Sequence, residues 1–320
     1  MIMETHIQAV KPHASVLLNE SIDALNVSAD GMYLDGTFGR GGHSHEILSR
    51  LSERGLLVAL DRDPSAIAYG NEVFGNDERL ELVHTDFAQS IIGLQEKGLP
   101  EKFDGILFDL GVSSPQLDEA HRGFSFMQDG PLDMRMDSSQ GQTAAQLLAY
   151  IEEKELASIL FTLGDEKFSR KIAKAIIEKR IEEPLETTSQ LVALIEEVIT
   201  RPEKHKHPAT RTFLALRMFI NDELGQIETM LPQAIRMLKP GGRLAVISFH
   251  SREDRIVKRF FKNLSVGPVL PKRLPVQGVF RAPITLIGKA IKPSAEELRV
   301  NPRARSAILR IAEKTEVEYA

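Results

Sequence analysis

The chain contains no cysteine among its 320 residues. That absence removes disulfides, thiolate zinc sites and sulfur nucleophiles together, and it suits a reducing compartment. Long apolar runs are missing too. No stretch approaches the roughly 18 consecutive apolar residues of a membrane span, and the opening MIMETHIQAVKPH has no signal-peptide core. A soluble protein of the cytoplasm, with no membrane association, is expected. Without thiolates, any metal would have to be held by imidazole and carboxylate. The pairs His43/His45 and His205/His207 have no acid at a matching spacing, so no metal is expected. Internal repeats and low-complexity tracts are also absent.

What is present can fill a core, since 42% of residues are hydrophobic, enough for one large domain or two ordinary ones. The net charge of -5 is unevenly distributed. From Arg243 to Arg310 there are 15 Lys and Arg against four Asp and Glu, a local balance of +11, so the remainder carries -16. A basic segment on an acidic protein points to a polyanion-binding face, because Lys and Arg that displace counterions from phosphates supply most non-specific nucleic-acid affinity. A merely solvated charged surface is the competing reading.

Four short runs rich in Leu, Val and Ile, at 32–35, 56–61, 80–84 and 105–110, alternate with amphipathic or capped segments. The alternation predicts βαβ units and a mostly parallel, doubly wound α/β sheet. Asp63 followed by Pro64 reads as an N-cap with Pro at the first helical position of a helix over 64–74. From about Thr143 to Thr200 only helical periodicity remains. Strands return with GRLAVIS at 242–248, preceded by a helix ending near 237–239 and the turn Pro240-Gly241-Gly242, and followed by a helix from about Arg252 to Lys262. A Pro-rich basic stretch from Gly267 to Pro283 leads to two final strands, ITLIGKA and SAILRIAEK. The expected organisation is one sheet interrupted by an all-helical insertion, with residues 1–116 and 208–320 forming the sheet domain and 117–207 the insert.

The first strand ends in Asp35-Gly-Thr-Phe-Gly-Arg-Gly-Gly-His-Ser44, with four glycines in seven residues before a helix. Glycines let backbone pass close to a ligand and leave helix N-terminal N–H groups free. The second strand ends in Asp61, 26 residues after Asp35, where an acid can accept hydrogen bonds from ribose hydroxyls. Together these describe a nucleoside-bearing cofactor. Gly39 to Ser44 comes close to the dinucleotide pattern but has Ser where the third Gly or Ala belongs, which disfavours NAD. S-adenosylmethionine needs no pyrophosphate cradle, and Asp35 can serve its cationic amino-acid end. Asp86 and Phe87 would flank the adenine, although Phe87 reads equally as core. The fourth apolar run delivers Asp109 into Leu-Gly-Val-Ser-Ser-Pro-Gln116. Ligands of open α/β sheets lie beyond the carboxyl ends of strands, so Asp109 is placed to meet a substrate, unless it simply caps the next turn.

With these motifs in hand the chain resembles the bacterial small-subunit ribosomal RNA cytosine-N4 methyltransferase family, over nearly its whole length. The further stretches that carry the resemblance are His13-Ala-Ser-Val-Leu-Leu18, Leu60-Asp-Arg-Asp-Pro64, Arg122-Gly-Phe-Ser-Phe-Met127, Asp129-Gly-Pro-Leu-Asp-Met-Arg-Met-Asp137, His207-Pro-Ala-Thr-Arg-Thr-Phe213, Ser248-Phe-His-Ser251, Glu253-Asp-Arg-Ile-Val-Lys-Arg259 and Asn301-Pro-Arg-Ala-Arg-Ser306. The resemblance implies a Rossmann-like class I methyltransferase that methylates the exocyclic amine of a cytidine in the decoding region of 16S ribosomal RNA, within the small ribosomal subunit. Carried over motif by motif, it implies cofactor contacts at Gly41, Gly42, His43, Asp61, Phe87, Asp109 and Gln116; Asp35 and Gly39 join them from the reading of the glycine loop, and Asp109 is also the catalytic candidate. Arg122, Arg135, His207, Arg211, His250 and Arg252 are the expected RNA contacts. Other substrates (DNA, protein or a small molecule) and a non-catalytic ribosome-assembly role are the alternatives.

Overall fold

A computed structural model of the chain describes residues 15–201, 203–204, 206–267 and 280–319. His13, His205 and most of the Pro-rich basic stretch, at 268–279, lie outside the described residues. Helix α1 (Leu18–Leu25) precedes the first strand, β1 (Met32–Asp35). Then α2 (Gly42–Arg50), β2 (Leu56–Asp61), α3 (Pro64–Phe74), β3 (Leu80–His84), α4 (Ser90–Glu96) and β4 (Phe103–Asp109) alternate as the apolar runs predict. Helix α3 has the expected start: the Asp63 carboxylate accepts from the Ser65 amide at 2.9 Å, with Pro64 at the first helical position.

A short helix, α5 (Ser114–Asp118), follows β4, and a helical unit follows that: α6 (Ala144–Tyr150), α7 (Glu153–Gly164), α8 (Ser169–Glu182), α9 (Thr188–Val198) and α10 (Thr210–Ile220). Helices α6 and α9 begin with reciprocal caps, Thr143 with Gln146 and Thr187 with Gln190. The unit has its own core, including Leu147, Leu160, Ile172, Leu191 and Ile195. That core reaches back to Leu132 and Met134 and forward through Phe213 to Leu216, so its packing extends beyond residue 207.

The chain returns to the sheet through α11 (Glu223–Met237) and β5 (Leu238–Ser248), then α12 (Ser251–Val266), β6 (Ile284–Leu286), α13 (Ala295–Val300) and β7 (Ile308–Lys314). The Pro240-Gly241-Gly242 turn lies within β5 and not ahead of it. Leu238 pairs with Phe103 and Arg243 with Gly105, so residues 239–242 loop out around Asp104. The Lys239 ammonium holds that loop by donating to Asp104 Oδ2 at 2.7 Å. The penultimate strand is also shorter than ITLIGKA suggested. Only Ile284–Leu286 pairs continuously, while Ile291 makes a lone bridge to Leu309.

The strand order is β3-β2-β1-β4-β5-β7-β6, with β1 to β5 parallel and β7 antiparallel to both its neighbours. This is the Rossmann-like sheet of class I methyltransferases. The chain winds outward from β1 through β2 to β3 and then crosses back to place β4 on the other side of β1. The crevice beyond the carboxyl ends of β1 and β4 is therefore the topological switch point, where such sheets bind ligands. No described helix is long and apolar enough to cross a membrane.

The glycine loop is seated directly on the core at this crevice. The Gly36 amide donates to the Leu107 carbonyl at 2.9 Å, and a Cβ at Gly36 would lie 2.0 Å from the ring of Phe108. Phe108 is fully buried and meets Phe87 edge-on at 5.8 Å. Gly36→Ala should therefore cost about 1–3 kcal/mol through overpacking, read as a lower urea midpoint with unchanged m-value.

Candidate active site

Three strand ends place a carboxylate around the glycine loop. Asp35, at the end of β1, is 1% exposed. It accepts from the Thr37 amide at 3.0 Å and from the Ser44 hydroxyl at 2.6 Å. Asp61, at the end of β2, accepts from the Gly39 amide at 2.7 Å and the Asp63 amide at 2.8 Å. Asp109, at the end of β4, donates its amide to the Thr37 hydroxyl at 2.6 Å, but its buried Oδ1 has no hydrogen-bond partner. Burial raises the carboxyl pKa of all three. Asp61 is pushed up to about 6, chiefly by burial and further by Asp63 and Asp35. Asp109 is raised well above the usual carboxylate range by burial, then by the charges of Asp35 and Glu253. Asp35 is raised by burial against the opposing pull of His43, Ser44 and Thr37.

The glycines shape the space between these acids. Gly41 caps α2 with φ of 73°, a left-handed conformation that disfavours a side chain. Gly42 opens α2 beneath Ser15, whose hydroxyl would lie 1.9 Å from an added Cβ. His43 is buried on the same helix, its Nε2 3.1 Å from the Val16 carbonyl and its Nδ1 3.8 Å from Asp109 Oδ2. Phe87, just past β3, packs against Phe108 and the sheet core. Asp86 caps the turn that Phe87 begins, accepting from the Gln89 amide at 2.9 Å.

Asp63 carries more of the site than its reading as a cap suggested. Beyond capping α3, its Oδ2 accepts from Gln116 Nε2 at 2.8 Å and from the Arg122 guanidinium at 2.7 Å. Gln116 in turn accepts from the Ser113 amide at 3.0 Å and so braces the loop after Asp109. Arg122, 6% exposed, also donates to the carbonyls of Arg135 at 3.1 Å and Met136 at 2.8 Å. Burial raises the Asp63 pKa, but the bonds from Gln116 and Arg122 outweigh it and leave the carboxyl below its ordinary value. The 134–136 segment is fixed from its other side by Asn221, whose Nδ2 donates to the Met134 carbonyl at 2.7 Å and whose Oδ1 accepts from the Met136 amide at 2.8 Å.

The cations expected to face RNA are largely engaged within the protein. Arg122 is the clearest departure: it is an internal strut and does not reach solvent. Arg135 grips Asp133 and Arg211 grips Glu203, each through two hydrogen bonds. Arg252 pairs with Asp165 at the end of α7. His207 stacks on Phe126 at 4.6 Å with Glu196 3.4 Å away. His250 caps α12, while Glu253 accepts from the Phe249 amide at 2.8 Å and the His250 amide at 3.1 Å. Glu253 is 1% exposed; burial would raise its pKa, but His250, the Phe249 amide and Arg217 hold it low.

Glu223, His250 and Glu253 bring one potential ligand atom each to within 4.8 Å of one another. Glu223 already binds the Arg217 guanidinium at 2.7 and 2.8 Å, which places a cation beside that trio. Arg217, Asn221 and Glu223 lie in a helical stretch without motif character, and only folding reveals their place. Asp63, by contrast, carried a cap signal whose wider role was invisible because Arg122 is 59 residues away.

The model of the MraW methylase family matches residues 10–315. The chain belongs to that family. It is 52% identical over 304 residues to the ribosomal RNA small subunit methyltransferase H of Dechloromonas aromatica, covering 94% of this chain and 98% of the relative. It is 54% identical over 305 residues to the protein of the same name from Shewanella amazonensis, covering 94% and 97%. Among solved structures, an rRNA methylase from Streptococcus thermophilus aligns with a TM-score of 0.39 and 12% identity, covering 93% of this chain and 95% of that one.

As a methylase with this sheet, the chain takes S-adenosylmethionine as its cofactor. The residues present fit it. A crevice with one buried and two half-buried carboxylates and an unpartnered carboxylate oxygen suits a ligand that brings positive charge on a sulfonium and an ammonium. Asp35, the Gly36–Gly42 loop, Asp61 and Asp109 would hold it. The cofactor supplies an electrophilic methyl group.

Two predictions follow from these networks. Arg122→Ala strands the buried Asp63 charge and should destabilise the protein by about 3–5 kcal/mol, measured by denaturant unfolding near neutral pH. The Asp61 carboxyl pKa is higher when folded than when unfolded, so the folded state binds more protons between the two values. This group's contribution to stability therefore falls as pH rises from about 4 to about 6 and is level above. Asp61→Asn should flatten that limb of the ligand-free stability profile and weaken cofactor binding, as followed by unfolding at several pH values and by calorimetry.

Proposed function

We propose that the chain transfers a methyl group from S-adenosylmethionine to the exocyclic N4 amine of a cytidine in the decoding region of 16S ribosomal RNA, within the small ribosomal subunit. The names of its close relatives support an rRNA substrate. The observation that carries the chemistry is Asp109: a buried carboxylate oxygen without a partner, at the switch-point crevice, is suited to accept a hydrogen bond from an amine.

The cytosine amine is a poor nucleophile because its lone pair is delocalised into the ring. Hydrogen bonds from its N–H groups to Asp109 Oδ1 would localise density on nitrogen and orient it toward the methyl donor. The chain has no cysteine to activate the ring, and attack by N4 needs none. Asp109 is well held for this work, since Thr37 fixes its amide and the Leu110 amide bonds the Ile247 carbonyl at 3.0 Å. A cytosine in folded RNA must leave its stack to reach the crevice. In this reading the helical insert, residues 117–207, forms the opposing wall, braced by Arg122 beneath and by Arg252 to Asp165 across to α12.

A stripe of free positive charge lies along α12. Arg255, Lys258, Arg259 and Lys262 are all exposed at helical spacing and make no ion pair among the described residues. This stripe runs away from the crevice and suits the phosphate backbone of the substrate RNA. It replaces Arg122, Arg135 and Arg211 as the main electrostatic face.

Labelled methyl transfer to small subunits lacking the modification, followed by mass spectrometry of the nucleosides, should yield N4-methylcytidine. Label on protein or none on RNA would refute the assignment. Asp109→Ala should lower turnover at least about a hundredfold, in the same assay. Reversing Lys258, Arg259 and Lys262 to Glu should weaken RNA binding and flatten its dependence on salt, measured as the slope of log affinity against log salt concentration.

A further inference from the structure

The crevice holds more negative charge than its own side chains can balance. Asp35 accepts three hydrogen bonds and Asp61 two, whereas Asp109 Oδ1 is buried with none. The ionisable groups acting on Asp109 from the surrounding elements are Asp35 on β1, His43 on α2 and Glu253 on α12. The two acids oppose a charge on Asp109. The Arg217 guanidinium, on α10, is committed to Glu223.

His43 offers no countercharge either. The Val16 carbonyl 3.1 Å from its Nε2 can only accept, so Nε2 carries the hydrogen and, in the neutral ring, Nδ1 is bare. That bare nitrogen faces Asp109 Oδ2 across 3.8 Å. The pair has room for one proton between two lone-pair atoms. Burial holds the imidazole pKa down and raises that of the Asp109 carboxyl, so both shifts favour the carboxyl as the holder of that proton.

We propose that Asp109 is a proton-exchanging group governed by the charge of the cofactor. It is protonated in the ligand-free enzyme, ionises when a sulfonium-bearing ligand enters, and stays protonated when the uncharged thioether product is bound. The sulfonium supplies the countercharge that the protein withholds, so ionised Asp109 exists only when the methyl donor is in place. In the reaction of the preceding section, on which this last step rests, the amine nitrogen forms a bond to the methyl carbon and the sulfur–carbon bond breaks with its electron pair left on sulfur. The amine sheds one proton to Asp109. The positive charge lost from sulfur thus reappears as the proton on the carboxyl, and the crevice remains balanced at every stage.

The test needs no RNA, so its failure is distinct from failure of the substrate assignment. S-adenosylmethionine and S-adenosylhomocysteine are titrated calorimetrically into the full-length protein, in buffers of different ionisation heat, from about pH 5.5 to about pH 8.5. The two ligands share their ammonium and carboxylate, so those contributions cancel. The expected result is release of up to about one proton per S-adenosylmethionine at the acidic end, close to none for S-adenosylhomocysteine, and an affinity ratio that rises by up to about tenfold per pH unit. Asp109→Asn should bind both ligands and erase the difference. Equal proton counts for the two ligands across the range overturn the proposal, as does a difference that persists in the Asn variant, which would assign the proton to Asp35 or Asp61. If the variant does not fold, the pH dependence of the wild-type affinity ratio decides alone.

Discussion

The buried carboxylate of Asp63 is the constraint on which the rest of the site depends. One side chain caps α3, meets the amide that braces the loop after Asp109, and neutralises the guanidinium that supports the 134–136 segment. Its own backbone amide donates to Asp61. Asp61, the loop after Asp109 and the 134–136 segment are thereby set relative to one another by a single ion. A buried charge is costly unless its lone pairs are used, and here the donors are the adjacent Ser65 amide and, from the segment after β4, Gln116 and Arg122. The arrangement makes the geometry of the crevice conditional on docking of the insert.

A second constraint runs opposite to ordinary stability. Asp35, Asp61 and Asp109 are gathered where burial disfavours all three charges. A fold optimised only for stability would disperse or pair them. Concentrating them at the ends of β1, β2 and β4 leaves a crevice suited to a cationic ligand, the property expected of a site for a sulfonium donor. Preorganisation of this kind costs stability in the empty protein and is recovered on binding.

The outer electrostatics show the same economy. Nearly every Arg and His singled out for RNA contact is engaged by a partner in the fold, and Arg122 is fully internal. One face of α12 keeps a row of free cations, and its opposite face packs Val257 and Phe261 into the core. A charge count over the basic segment identified the region. Which cations are free depends on carboxylates such as Asp133, Asp165 and Glu203, far from that segment in sequence.

Apolar runs, glycine clusters and caps are local signals, so the sequence by itself determined the strands from β1 to β4, the start of α3, the glycine loop and the strand-end acids Asp35, Asp61 and Asp109. Each depends on side-chain periodicity or on backbone freedom within a few residues. Only the tertiary structure decided that Asp63 bonds Arg122, that Asn221 anchors Met134 and Met136, that β5 begins at Leu238 with a loop inside it, and that Asp109 keeps one oxygen unpartnered. These are pairings between residues tens to more than a hundred positions apart. Their energies come from burial and from mutual hydrogen bonding, and neither exists until the sheet and the helical insert have packed together.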